Sequence, residues 1–178
     1  ENDQIGDKSS RRKGDYEQAG ALLNEALSIY EKHFAPDHPR IASTISHLAI
    51  LYHSTGKYAE AEPYYKRAVE ICEKHFEKDP EKPGTSLGNL ASLYGDIGEY
   101  EKAVPIYERS LEILQESLGP EHTQVAYVLN NLGELYTNLG NNQKAQALLQ
   151  GALAIWEKAL GPDHPNVAIS ADNLAIAF

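Results

Sequence analysis

Three histidines could do chemistry if they met at one point. His38, His122 and His164 each follow an acidic residue, Asp37, Glu121 and Asp163. A zinc site needs three or four such ligands, each about 2.0 to 2.2 Å from the ion. The spacing works against that: His122 and His164 are separated by 42 residues, and His38 and His122 by twice that interval. If 42 residues is a structural repeat, equivalent positions lie about 10 Å apart, the separation of packed helices. Each Asp-His or Glu-His pair then offers at most two ligands, so no metal is expected. The pairs read better as connectors. In Asp37-His38-Pro39 and Asp163-His164-Pro165 the proline stands where a first helical turn tolerates it. Cys72 is the only cysteine and falls on an apolar stripe, so it reads as a small buried hydrophobe, not a nucleophile. A single cysteine forms no internal disulfide, which fits a reducing, cytoplasmic setting. There is no glycine-rich phosphate loop, serine elbow or HExxH motif. Neither an enzyme nor a cofactor is expected.

The elements that position these residues follow one period. Gly14, Gly56, Gly98 and Gly140 are each 42 residues from the last. The stretch Asn131-Leu132-Gly133-Glu134-Leu135-Tyr136 has counterparts at Asn89-Leu90-Ala91, His47-Leu48-Ala49 and Asn173-Leu174-Ala175. A fixed period of about 20 to 50 residues marks a solenoid of stacked units. Within each period two helices are legible. The longer, helix B, carries a stripe at three- and four-residue steps: Tyr58, Ala61, Tyr65, Ala68, Cys72 and Phe76 in one copy. Another copy reads Asn142, Ala145, Leu149, Ala152 and Trp156. The shorter, helix A, carries Ile41, Ile45, Leu48, Ala49 and Tyr52, and ends at the periodic glycine. Small residues at 49, 91, 133 and 175 in helix A, and at 61, 103 and 145 in helix B, let the two helices approach closely.

This pattern predicts an all-α chain with helices over 15–34, 40–54, 57–76, 85–97, 99–117, 124–138, 141–160 and 166–177. Pro83 and Gly84 occupy the positions of Ile41 and Ala42, so the helix A there is expected to start near Thr85, a turn short. Pro63 and Pro105 fall early in helix B and predict a mild kink at most. Residues 1–13 stand outside the pattern and read as a linker or expression remnant, including the basic run over 8–13. Residues 14–178 form the array: helix B of one repeat, three complete repeats, and helix A of the next. Phe178, at the end of that helix, is expected to be exposed. The formal charge of −10, from 26 acidic and 16 basic residues, argues against nucleic acid, whose affinity rests on Lys and Arg contacts to phosphate. No stretch approaches the roughly 20 apolar residues of a membrane span, so membrane insertion is not expected.

The motif L-A-x-L-Y, then G-x-Y, then alanines three and ten residues on, resembles the tetratricopeptide repeat. The 42-residue length narrows the resemblance to the kinesin light chain and nephrocystin-3 type. So does Leu118-Gly119-Pro120-Glu121-His122 leading to Val125-Ala126 and Leu129-Asn130-Asn131-Leu132. The resemblance covers 14–178 and implies an open right-handed superhelix, an α-solenoid, with helix A lining the concave side. It also implies a scaffold that binds a protein or peptide partner.

The family's ligand asparagine maps onto Asn89, Asn131 and Asn173, with His47 in the matching place. Such a column offers donors and acceptors to an extended peptide backbone without regard to its side chains. Ser43, Ser46, Ile50, Thr85, Ser92, Tyr127, Asn130 and Glu134 flank it as candidate peptide-binding residues. The competing reading is that the amides face water or hold a neighbouring helix. Arrays that clamp a carboxylate use Lys or Arg four residues before the asparagine or in its place. Here those earlier positions are Ser43, Thr85, Tyr127 and Ile169, so a neutral or basic segment is preferred. The alternative function is a structural spacer, self-association surface or sensing segment of a larger multidomain signalling protein.

Overall fold

The computed structural model describes residues 2–178, with side chains from residue 14 onward, so the side chains of the 1–13 segment and its basic run lie outside the described residues. Among the described residues there are eight helices and no strand. They are α1 (Asn2–His33), α2 (Pro39–Ser54), α3 (Tyr58–Lys74), α4 (Glu81–Asp96), α5 (Tyr100–Leu118), α6 (Thr123–Asn138), α7 (Asn142–Leu160) and α8 (Pro165–Ile176). The even-numbered helices are the A helices and the odd-numbered ones the B helices. The chain divides into two compact units, Glu1–Lys74 and His75–Phe178.

In the first unit α2 packs against both α1 and α3. Its core joins Leu27 of α1 to Ile41, Ile45 and Leu48 of α2 and to Ala68, Ile71 and Cys72 of α3. Cys72 is buried there, as its place on the stripe requires. In the second unit each helix packs on the next, and α6 also touches α4 and α8, so the three A helices lie side by side. Trp156 is fully buried with Ala126, Ala152 and Val167.

The small residues mark the helix crossings. Ala49, Ala61, Ala91, Ala103 and Ala145 are all buried without residual exposure. At Gly133 even a methyl group has no room: an added Cβ would sit 2.6 Å from Cγ of Leu149. Three of the four periodic glycines end A helices in a left-handed turn, φ 74° at Gly56, 81° at Gly98 and 74° at Gly140, whereas Gly14 lies inside α1. At each of these turns, two reversed hydrogen bonds satisfy the last carbonyls, as in Gly140 N–H to Thr137 O at 2.9 Å and Asn141 N–H to Tyr136 O at 2.8 Å. Pro63 and Pro105 sit inside α3 and α5, which continue through them.

Two expectations are corrected. Helix α1 begins at Asn2, not Asp15, and runs through Gly6 and Gly14: residues 2–14 hold no proline, and Gln4, Lys8, Arg11, Arg12 and Lys13 are good helix formers that offset the two glycines. Helix α4 begins at Glu81 and is no shorter than α2 or α6. Pro83 lies in its first turn, where backbone N–H groups have no intrahelical partner to lose. Gly84 is there for close approach: an added Cβ would come within 2.8 Å of Leu114 Cγ. In place of a methyl contact, the buried Ser110 hydroxyl donates to the Gly84 carbonyl at 2.6 Å.

Candidate peptide-binding face

The three histidines are helix caps. Each stands in extended backbone before an A helix, and its Nδ1 accepts the backbone N–H two residues on. The donors are Arg40, Gln124 and Asn166, each at 3.2 Å. An imidazole nitrogen thus does the work usually given to Ser, Thr, Asp or Asn. The acid before His122 is also engaged: Lys158 donates to both oxygens of Glu121 at 2.6 and 2.7 Å. Among the described residues no group of three or more His, Cys, Asp or Glu is placed to hold a metal ion.

The predicted site residues lie on the A helices, and their surroundings differ. In the first unit, Ser43, His47 and Ile50 of α2 are exposed, and Ser46 turns its hydroxyl back to the Ala42 carbonyl at 2.8 Å. In the second unit the polar residues form a ladder between successive A helices. Thr85 of α4 donates to Gln124 of α6 at 2.9 Å. One repeat on, Asn166 of α8 donates to the hydroxyl of Tyr127 on α6 at 2.9 Å. Asn173 of α8 donates to Oδ1 of Asn130 on α6 at 3.3 Å. Asn130, expected to line a groove, is buried at this crossing.

Asn131 is also engaged. Its amide donates to the hydroxyl of Tyr107 on α5 at 3.1 Å, and Ser92 of α4 bonds the same hydroxyl. Tyr107 therefore ties α4 and α6 through one buried oxygen. Burial pushes its ionisation up to about 12, and the carboxylates of Asp96 and Glu134 push the same way against the two hydrogen bonds. Asn173 has no such hydroxyl to meet, because Leu149 stands where Tyr107 stands one repeat earlier. It turns to Asn130 instead. Asn89 is half-buried and forms no side-chain hydrogen bond among the described residues.

Sequence reasoning missed Tyr107 and the ladder. The one signal for Tyr107 is its phenolic hydroxyl on an otherwise apolar stripe, since a buried tyrosine O–H seeks a partner. The ladder joins residues 39 apart at Thr85–Gln124 and Tyr127–Asn166, a full repeat less one short helical step. Around it the face also carries exposed apolar groups: Tyr127 is 51% exposed and leans edge-on against Trp156, and Ile169 is equally open. Glu134 of α6 is exposed as well.

The tetratricopeptide repeat profile matches residues 9–74, 84–150 and 124–178. The chain belongs to the tetratricopeptide repeat family. As an all-α array of this family it is a protein–protein interaction scaffold in general character. No curated protein matches it. Solved structures do. BtubC (BKLC) from P. vanneervenii is 26% identical with a TM-score of 0.78, the match covering 91% of this chain and 65% of that one. A putative kinesin light chain from Podosopora anserina with nearly identical TPR-like repeats is 27% identical with a TM-score of 0.77, covering 96% and 80%. Aspartyl phosphate phosphatase F from Bacillus subtilis has a TM-score of 0.80 at 20% identity, covering 96% of this chain and 43% of its own, and shares the fold alone. This tetratricopeptide chain therefore spans less than two thirds of BtubC. No helix among its described residues is long and apolar enough to cross a membrane.

Proposed function

We propose that the face of α4, α6 and α8 binds an extended, neutral-to-basic segment of a protein partner. The observation that carries this reading is Asn89, a half-buried amide with no side-chain partner among the described residues. It belongs to a face that also presents Tyr127, Ile169 and Glu134 to solvent. An unspent amide reads a peptide backbone, the exposed apolar groups take a side chain, and the carboxylate favours a basic one. In unit one, Ser43, His47 and Ile50 of α2 stand exposed at the positions that Tyr127, Asn131 and Glu134 occupy on α6. The compartment we propose is the cytoplasm.

A second reading, a structural spacer within a larger protein, is favoured by the ladder. Asn131, Asn130 and Asn173 spend their amides on other helices of the array. The two readings are separated by panning a library of random dodecapeptides against the 178-residue chain. Groove binding predicts recovered peptides enriched in Lys or Arg and in one apolar residue, whose affinity falls when Tyr127 is changed to Glu. Failure to enrich any sequence, or peptides indifferent to Tyr127→Glu, favours the spacer.

A further inference from the structure

Helix α6 is flanked by α4 on one side and α8 on the other, which leaves it a narrow free surface. From Thr123 to Thr137 only Tyr127 and Glu134 are exposed. Glu134 is also the one charged residue in the helix, and it makes no ion pair among the described residues. The acid just before the helix, Glu121, is by contrast held by Lys158 at 2.6 Å.

Tyr127 and Glu134 stand two turns apart along one side of the helix, with the half-buried Asn131 between them. A rise of about 1.5 Å per residue puts them roughly 10 Å apart along the axis. The neighbouring A helices repeat the division. Ile169 stands on α8 where Tyr127 stands on α6, and is equally exposed. Asp96 closes α4, and both Asp96 and Glu134 push up the ionisation of the Tyr107 hydroxyl, which places both carboxylates near that one oxygen. Helix C-termini carry partial negative charge of their own. The face is thus apolar near the starts of α6 and α8 and negative toward the ends of α4 and α6.

This spacing selects the shape of an occupant. In a β-strand, side chains on one side recur at two and four residues, about 7 and 13 Å apart, and neither matches. A polyproline helix returns every third side chain to the same side after about 9 Å, and the long stem of a basic residue spans the remainder. On the reading that this face takes an extended segment, we infer that the segment is a polyproline-type stretch with an apolar residue and a Lys or Arg three positions apart. The apolar residue lies against Tyr127 and Ile169, and the cation meets Glu134.

The test is fluorescence anisotropy of labelled dodecapeptides carrying one Leu and one Arg two, three or four positions apart, in both orders, in a Gly-Ser host. Binding to the 178-residue chain is expected to be tightest at three, and to tighten further when the two intervening residues are Pro. Glu134→Lys, at an exposed position, should keep the parent's helical circular dichroism and weaken the three-apart peptide about tenfold. The same variant should prefer the peptide with Glu in place of Arg. Equal affinity at all three spacings, a maximum at two or four, or a preference that Glu134→Lys leaves unchanged overturns the inference. Peptides that depend on Tyr127 while ignoring both spacing and Glu134 overturn this inference alone and leave the groove reading standing. No binding by any peptide at millimolar concentration overturns both.

Discussion

The α4–α5 and α6–α7 hairpins follow one plan and fill it with different chemistry. In the first, α4 follows an N-cap, Pro80, that supplies no side-chain acceptor, and it is tied to α5 by the Ser110 bond to Gly84. In the second, α6 starts at the His122 cap, and Ala152 stands where Ser110 stood. The B-helix stripe reads Tyr107, Ser110, Leu114 in one hairpin and Leu149, Ala152, Trp156 in the other. Both stripes are buried equally well. The apolar frame is therefore held constant while the polar groups inside it vary. What varies decides which amides on the A helices remain available: the Tyr107 hydroxyl consumes Asn131, and Leu149 leaves Asn173 to find Asn130.

The largest expected effect separates the two stripes by volume. Trp156→Ala should destabilise by about 3 to 5 kcal/mol, because the cavity opens in a core the α6–α7 hairpin shares with α8. A urea denaturation midpoint within error of the parent would mean that Trp156 is not the keystone of that hairpin.

Next comes the ionisable member of the α5 stripe. The Tyr107 hydroxyl is raised to about 12 by burial, against about 10 in an unfolded chain. Its stabilisation is fully present below pH ~10 and is lost as the pH rises from there toward 12. The loss is roughly 2 to 3 kcal/mol for a shift of this size. Leu149 imposes no such dependence on α7. Denaturation curves across that window should fall more steeply for the parent than for Tyr107→Phe, and parallel curves would show that the hydroxyl is not held neutral.

The smaller effect concerns the connectors. His122→Ala and His164→Ala should each cost about 0.5 to 2 kcal/mol by removing the cap acceptor. Asn in either place should restore most of it. At Pro80 there is no side-chain acceptor to lose, so Pro80→Ala should not show a cap loss. If Asn fails to rescue the histidine variants, the 3.2 Å contacts are not what holds these helix starts.

The frame was readable because it depends on local spacing. The glycine period, the stripes and the small residues at Ala91 and Ala61 are set by which residues recur at 42 and at three or four. The start of α4 was misread because Pro83-Gly84 is a helix breaker by local preference. Tertiary packing made it a first turn pressed on Leu114. The fate of the amides was not legible, since it depends on where each packed hydroxyl turns: Tyr107, 24 residues before Asn131, meets it, whereas Tyr65, at the same interval before Asn89, meets His53 at 3.2 Å. Periodicity says that a column of polar neutral residues exists, and only the packed neighbours say which members are spent.

The most direct measurement is the affinity of a library-selected peptide for Asn89→Ala and Asn131→Ala, with thermal stability recorded in parallel. Asn89→Ala should weaken binding by about 0.5 to 1.5 kcal/mol, one hydrogen bond, and leave stability within about 0.5 kcal/mol of the parent. Asn131→Ala should instead lower stability by roughly that first amount, because Tyr107 loses a partner, with the smaller effect on binding. A peptide that binds Asn89→Ala as tightly as the parent chain would contradict the account and place recognition away from this face.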